Sequence, residues 1–274
     1  TRNTWPSMAY VNSQTGRRYQ PHHAEEAAWL ADRKVRYLLA NGGEGSGKST
    51  GGVIRDLEFA RVGCNGILTS PDFEHFKRSL WPLFSSWCPW SYVVDSQRYR
   101  ESSDWNPPGP FKHVFKNGAV IYCGGIENPT TMRGPNVTWA HFDEASAHPK
   151  ALSLKVLDGR ARIVGPDGTP PSVWLTTTPD LDQGWTYDYF GPPSPNDQFS
   201  AFKADSLIIK LRTIDNEKAG NIADGYTARR AQTLTSAEAR VFLEGEWEKV
   251  NSVDSFVAAE VVDACYDPTL TGDI

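Results

Sequence analysis

The run Gly42-Gly43-Glu44-Gly45-Ser46-Gly47-Lys48-Ser49 fits the pattern G-x-x-x-x-G-K-[ST], a spacing suited to holding phosphate. Glycines at positions 42, 43, 45 and 47 let the backbone fold tightly, so that successive N–H groups can point inward at an anion. The candidate nucleotide-binding set is therefore Gly43, Glu44, Gly45, Ser46, Gly47, Lys48, Ser49 and Thr50. Lys48 is expected to reach the β- and γ-phosphates, and the Ser49 hydroxyl to serve as a magnesium ligand. A second constellation follows downstream, Asp143-Glu144 at the end of an apolar run. Its two carboxylates have separable tasks: Asp143 to hold Mg2+ directly or through water, Glu144 to polarise an attacking water. His141, just before the pair, reads as a hydrogen-bonded core histidine rather than a ligand.

These groups need elements to position them. Val35 to Ala40 reads as a strand entering the loop, and Thr50 to Ala60 as a helix leaving it, with Val53, Leu57 and Ala60 on one face. A helix N-terminus there adds partial positive charge to the phosphate site. Residues 1 to 20 read as an extended arm, and Pro21 to Asp32 as a helix. Further strands are expected at Gly66–Ser70, Phe111–Phe115, Ala119–Cys123, Val137–Phe142, Ser172–Thr177 and Ser200–Lys203. Asn117-Gly118 marks a hairpin between the second and third of these. Phe73 to Phe84 reads as a helix interrupted at Pro82, and 97–110 as a surface excursion rich in charge, Pro and Trp. After about residue 205 the pattern turns helical, with runs at Tyr226–Thr233 and Ala237–Leu243, the second opened by a Thr235/Glu238 capping box and stopped by Gly245. The alternation in the first two-thirds implies an α/β fold with a largely parallel, doubly wound sheet, whose ligands sit at the carboxyl ends of strands.

Composition narrows the classes. The chain has 274 residues, 39% of them hydrophobic and 12% aromatic, as in a globular protein. A formal net charge of −5 argues against a uniformly basic nucleic-acid binder, though not against a local positive groove. Cys64, Cys88, Cys123 and Cys265 lie far apart without C-x-x-C spacing, which points to reduced thiols rather than a metal site. No stretch approaches the roughly 18 apolar residues of a membrane span, and no secretory leader pattern opens the chain. A soluble intracellular protein is expected.

The phosphate loop, then Met132-Arg133-Gly134 ten residues ahead of Phe142-Asp143-Glu144-Ala145, then Thr176-Thr177-Thr178-Pro179, in that order and spacing, resemble the ATPase domain of bacteriophage large terminase subunits. Those are the motors that pump DNA into procapsids. The resemblance runs from about Tyr19 to Glu246 and includes Leu243-Glu244-Gly245-Glu246-Trp247. It implies a P-loop NTPase of the additional-strand, ASCE type, with ATP and Mg2+ as substrate and cofactor. It implies a core with an N-terminal arm over 1–205, a helical lid over 206–250 and a linker over 251–274. By the same resemblance Lys48, Arg133 and Glu144 are catalytic, Ser49 and Asp143 hold the metal, and Thr176, Thr177 and Thr178 couple the γ-phosphate state to the rest of the domain. Arg133 stands where the family places an arginine that completes the site, acting within one chain or in a neighbouring subunit. For the adenine edge two candidates stay open, Gln20 and Glu26. The family continues into a nuclease domain, which would begin around Val253 to Phe256, so its absence is expected. Arg98 and Arg100, and Arg229 and Arg230, are pairs that could meet DNA phosphates or be solvated faces. Expected partners are double-stranded DNA, the portal and procapsid, the small terminase subunit and, once docked, further copies in a ring, all in the host cytoplasm. Two other readings stay open: a helicase-like remodelling NTPase, suggested by Asp143-Glu144-Ala145-Ser146, and a nucleotide-gated interaction module with little turnover.

Overall fold

Parallel strands buried on both faces read as apolar runs, and the central strands here have that character. In a computed structural model describing residues 10–94, 109–128, 134–181 and 184–248, strands β2 (Gly66–Ser70), β5 (Trp139–Asp143) and β6 (Ser172–Thr177) are buried at every position. With β1 (Tyr37–Gly42), β3 (Phe111–Val114), β4 (Val120–Gly125) and β7 (Ser206–Leu211) they form one seven-stranded sheet, ordered β3-β4-β2-β5-β6-β1-β7. Every neighbouring pair is parallel except β3 and β4, which meet through the expected Asn117-Gly118 turn. β6 lies between the strand of the phosphate loop and the strand that ends in Asp143.

Two apolar layers flank the sheet. On one face α2 (Lys48–Arg61) packs Val53, Leu57, Phe59 and Ala60 into an aromatic-rich core with Trp29, Phe84, Trp139 and Trp174. On the other, α5 (Leu152–Arg160) and α6 (Gly184–Phe190) bring Leu154, Leu157 and Phe190 against Leu39, Phe142, Val173 and Leu175. Side chains alternate along β1 and β6, so each strand feeds both layers. Arg55 is a charged residue inside the first layer. Its guanidinium is fully buried, donates to the carbonyls of Trp29, Leu30 and Asp32, and lies 4.8 Å from the Trp174 ring centroid. It thereby satisfies the carboxyl end of α1 (Ala24–Ala31) and ties that helix to α2. Burial pulls its pKa down to about 9.

Three sequence expectations are corrected. Residues 10–19 are a tight hairpin rather than an extended arm: Val11 bridges Arg18, and the Asn12 side chain accepts from the amides of Gln14 and Thr15. The helical run from Phe73 is not broken at Pro82. It passes from α3 (Phe73–His75) through a π-helical turn, Phe76–Leu80, into α4 (Trp81–Trp87), with Pro82 in the first turn of α4 where a missing N–H costs little. Ser200–Lys203 is not a strand but lies in helix α7 (Ser200–Ala204), whose Phe202 packs on Tyr37 with ring centroids 4.1 Å apart. The strand comes directly after it, as β7, and pairs with β1, so the sheet takes in residues 206–211 that the sequence pattern assigned to the helical part. Helices α8 (Thr213–Lys218), α9 (Tyr226–Ala231) and α10 (Ser236–Phe242) follow, with the Thr235/Glu238 capping box formed at α10. Arg98, Arg100, Arg133 and the segment 251–274 lie outside the described residues.

Candidate active site

The phosphate loop joins β1 to α2 at the carboxyl edge of the sheet. Gly45 and Gly47 take φ of 70° and 90°, the left-handed region that side chains disfavour, and this turns the loop back on itself. Three of its amides are bonded within the chain, Gly43 to the Leu211 carbonyl, Glu44 to the Phe242 carbonyl and Ser46 to the Gly43 carbonyl. Gly45 to Thr50 line a cavity of about 990 Å³, whose walls also include Tyr19, Gln20, His22, Glu144 and Asn216. Lys48 is buried and its Nζ lies 3.2 Å from Glu144 Oε1. Ser46 Oγ is buried without a hydrogen-bond partner and faces the same loop.

The acidic pair is gripped by the end of β6. Ser49 Oγ donates to Asp143 Oδ1 at 2.7 Å, and Thr176 Oγ1 donates to the same oxygen at 2.5 Å. Asp143 Oδ2 is buried and has no hydrogen-bond partner. An uncommitted carboxylate oxygen beside a serine hydroxyl is a hard oxygen set that fits Mg2+, an ion that takes one or two protein ligands and completes its shell with water and phosphate. Glu144 has φ 50° and ψ 47°, a left-handed conformation that is uncommon for a side-chain-bearing residue. It is held from both sides: Thr176 fixes Asp143 before it, and after it Thr177 Oγ1 accepts from the Ser146 amide while Ser146 Oγ donates to the Thr178 carbonyl. His141 is fully buried and hydrogen-bonded, as its sequence setting suggested.

A model of the terminase large subunit family, T4likevirus-type, N-terminal, matches residues 102–256. The chain belongs to this terminase large subunit family. Solved structures share the fold. The large terminase of a thermophilic bacteriophage superimposes with a TM-score of 0.61 at 15% identity, over 84% of this chain and 54% of that one. The same phage's terminase in complex with ATP-γ-S gives 0.59 at 14% identity, over 83% and 53%. The ATPase domain of the Thermus phage P74-26 large terminase gives 0.53 at 19% identity, over 84% and 94%. The chain thus spans about half the length of the first of these terminases. No curated protein matches it.

Within this terminase chain the structure brings together Lys48, Ser49, Asp143, Glu144 and Thr176, which come from three separate stretches of the sequence. Gln20 lines the cavity, whereas both Glu26 oxygens are committed, to the Tyr19 hydroxyl and to His22. Burial alone raises the Glu26 carboxyl, but the donors from His22 and Tyr19 outweigh it and leave the group below its ordinary range. Arg230 is engaged inside the chain, its guanidinium forked onto Glu44 at 3.0 and 3.2 Å, while Arg229 is exposed and donates to the Asp224 carbonyl. Several residues that brace the loop or line the cavity carry no motif and escape sequence reasoning. Thr213 Oγ1 donates to the Glu44 carbonyl, Asn216 Nδ2 to the Gly45 carbonyl, and Asn221 reaches His22. Reading Ser206–Leu211 as a strand would have flagged Thr213 and Asn216, because they follow its carboxyl end.

Proposed function

We propose that this chain is the ATPase motor domain of a phage large terminase, hydrolysing ATP with Mg2+ to drive double-stranded DNA into a procapsid. The observation that carries the reading is the convergence of Lys48, Ser49 and Glu144 on the cavity, with Asp143 hydrogen-bonded to Ser49, in a member of this family. The loop amides and Lys48 bind the phosphates, and Ser49 with Asp143 Oδ2 would hold Mg2+, which when bound neutralises charge on the β- and γ-oxygens. A triphosphate competes for Lys48, and the carboxylate of Glu144 is then released to take a proton from water. The left-handed backbone and the threonine grip keep that carboxylate in place. Gln20 is the proposed reader of the adenine edge. Arg133 completes the charge stabilisation, and Thr176 to Thr178 relay the state of the γ-phosphate. Arg98, Arg100 and the exposed Arg229 remain candidates for DNA phosphate, and the portal, the small terminase subunit and further copies in a ring are the proposed partners, in the host cytoplasm.

Glu144→Gln should lower ATP turnover about 10²–10⁴-fold while leaving nucleotide affinity near that of the parent. Undiminished turnover would remove Glu144 from the mechanism. The same assay with portal and DNA added separates a packaging motor, stimulated by both, from a helicase-like enzyme stimulated by nucleic acid alone.

A further inference from the structure

Two ionisable side chains sit in the middle of the aromatic core with no route to solvent. Asp56 on α2 and His141 on β5 are each 0% exposed, and His141 Nδ1 lies 2.9 Å from Asp56 Oδ2. Trp174 Nε1 donates to the other Asp56 oxygen at 3.0 Å. On its far side His141 Nε2 lies 2.9 Å from Thr176 Oγ1, the hydroxyl that donates to Asp143 Oδ1. A continuous chain of contacts therefore runs from the core, Asp56–His141–Thr176–Asp143, and ends beside Ser49 in the phosphate loop. Space for it is reserved: a Cβ on Gly52 would stand 2.4 Å from His141 Cε1.

Burying such a pair is costly, and an apolar pair of similar volume often gives equal or greater stability. Its hydrogen-bond bookkeeping shows what it does instead. Thr176 has one hydroxyl hydrogen and gives it to Asp143, so its lone pair must accept from His141, and Nε2 must carry a hydrogen. Whichever of Asp56 and His141 holds the proton between them, that donor is preserved. With its lone pair so occupied the Thr176 hydroxyl cannot rotate away from Asp143. Oδ1 is thereby pinned and Oδ2 is the oxygen left to face a cation.

We infer that Asp56 and His141 are positioning residues for the metal-binding carboxylate, acting through Thr176 to fix which oxygen of Asp143 is presented. The inference rests on the proposed nucleotide and Mg2+ site and adds to it a support that reaches across the sheet from α2. Outer partners of this kind typically govern 10–100-fold in metal affinity or activity.

The test uses the whole chain with Mn2+ as the probe, read by electron paramagnetic resonance in the presence of ADP. Nucleotide affinity in EDTA and thermal stability are measured alongside. The Asp56→Leu/His141→Leu double variant should fold, bind nucleotide in EDTA as the parent does, and lose about 10–100-fold in both Mn2+ affinity and turnover. A folded double variant with parental Mn2+ affinity would overturn the inference. Should that variant fail to fold, Thr176→Val and His141→Gln decide. Thr176→Val should show the same loss, and His141→Gln, whose amide can still donate to Thr176, should retain clearly more Mn2+ affinity than His141→Leu. Equal losses in the Gln and Leu variants would also overturn it. If the parent chain bound no nucleotide at all, or Lys48→Ala bound it as well as the parent, the proposed function itself would fall, and this inference with it.

Discussion

The two ends of the cavity are built on different physical principles. Its floor, lined by Ser49 and Glu144, rests on side chains from adjacent strands, Asp143 at the end of β5 and Thr176 at the end of β6, both buried and backed by the aromatic core. Its rim is assembled from pieces that are remote in the sequence. The hairpin at residues 10–19 meets the loop after α8 through the Arg17 side chain on the Gly220 carbonyl, and Asn221 meets His22 across the gap. Those rim contacts are exposed, single and polar. A buried, cross-linked floor holds reacting groups in fixed geometry, while a rim closed by solvent-exposed bonds opens at small cost to admit and release nucleotide. On the proposed reading, the chemistry falls on the more deeply buried and cross-linked of the two parts.

Arg55 tests whether the rim depends on the core at all. It is the post that fixes α1 onto α2, and α1 carries Glu26, which holds Tyr19 and His22 in the cavity wall. Arg55→Ala leaves a cavity and orphans buried carbonyls, so it should destabilise the chain by roughly 3 kcal/mol or more, seen as a lower denaturant midpoint. Hydrogen exchange should then show α1 opening well before β5 and β6. Uniform loss of protection across α1 and the central strands would mean that rim and floor form one cooperative unit, and the contrast would be broken.

The floor was legible in the sequence because each part has a residue-type signature. A glycine-rich loop ending in Lys48-Ser49, an acidic pair after an apolar strand, and threonines closing another strand can be recognised one at a time, and the fold had only to bring them together. His141 is legible as a core residue, but its link to Thr176 is not, since nothing in the letters of β5 and β6 states their register. The rim left almost no trace. Thr213 and Asn216 act by hydrogen-bonding loop carbonyls, a role open to many residue types. They also follow β7, which carries no turn signal to set it apart from the segment before it; there Phe199 and Phe202 pack on Tyr189 and Tyr37 in a helical setting that the sequence pattern does not reveal.

The Glu44–Arg230 pair is the point where the helical part touches the phosphate loop by charge alone. Both side chains are about one-third exposed, so the pair is weak, but it spans from the tip of the loop to α9. Arg230→Ala should accelerate nucleotide release about two- to fivefold without altering turnover at saturation, as read by stopped-flow displacement. High salt should mimic the substitution, and a Glu44→Arg/Arg230→Glu exchange should restore the parental rate. A change in saturated turnover instead of release would assign the pair to the floor rather than the rim.

The smallest expected effect is also the most specific to the rim. Hydrogen bonding to Glu26 raises the His22 pKa above its ordinary 6.5, and Glu26 lies below its ordinary 4.5. A raised histidine contributes stability that is fully present below the unfolded value and fades as pH climbs through the folded one. A depressed carboxyl contributes stability that is present above its unfolded value and fades as pH falls through the folded one. Both contributions therefore coexist between about pH 4.5 and 6.5, where protonated His22 also requires Asn221 to turn its amide oxygen inward. The unfolding free-energy difference between the parent and His22→Gln should peak in that window, at roughly 1 kcal/mol, and shrink toward pH 8. Lys48→Met, which alters the floor, should show no such profile. A parent–variant difference that stays flat from pH 5 to 8 would show that folding does not raise the His22 pKa, and that this rim contact contributes no pH-dependent stability.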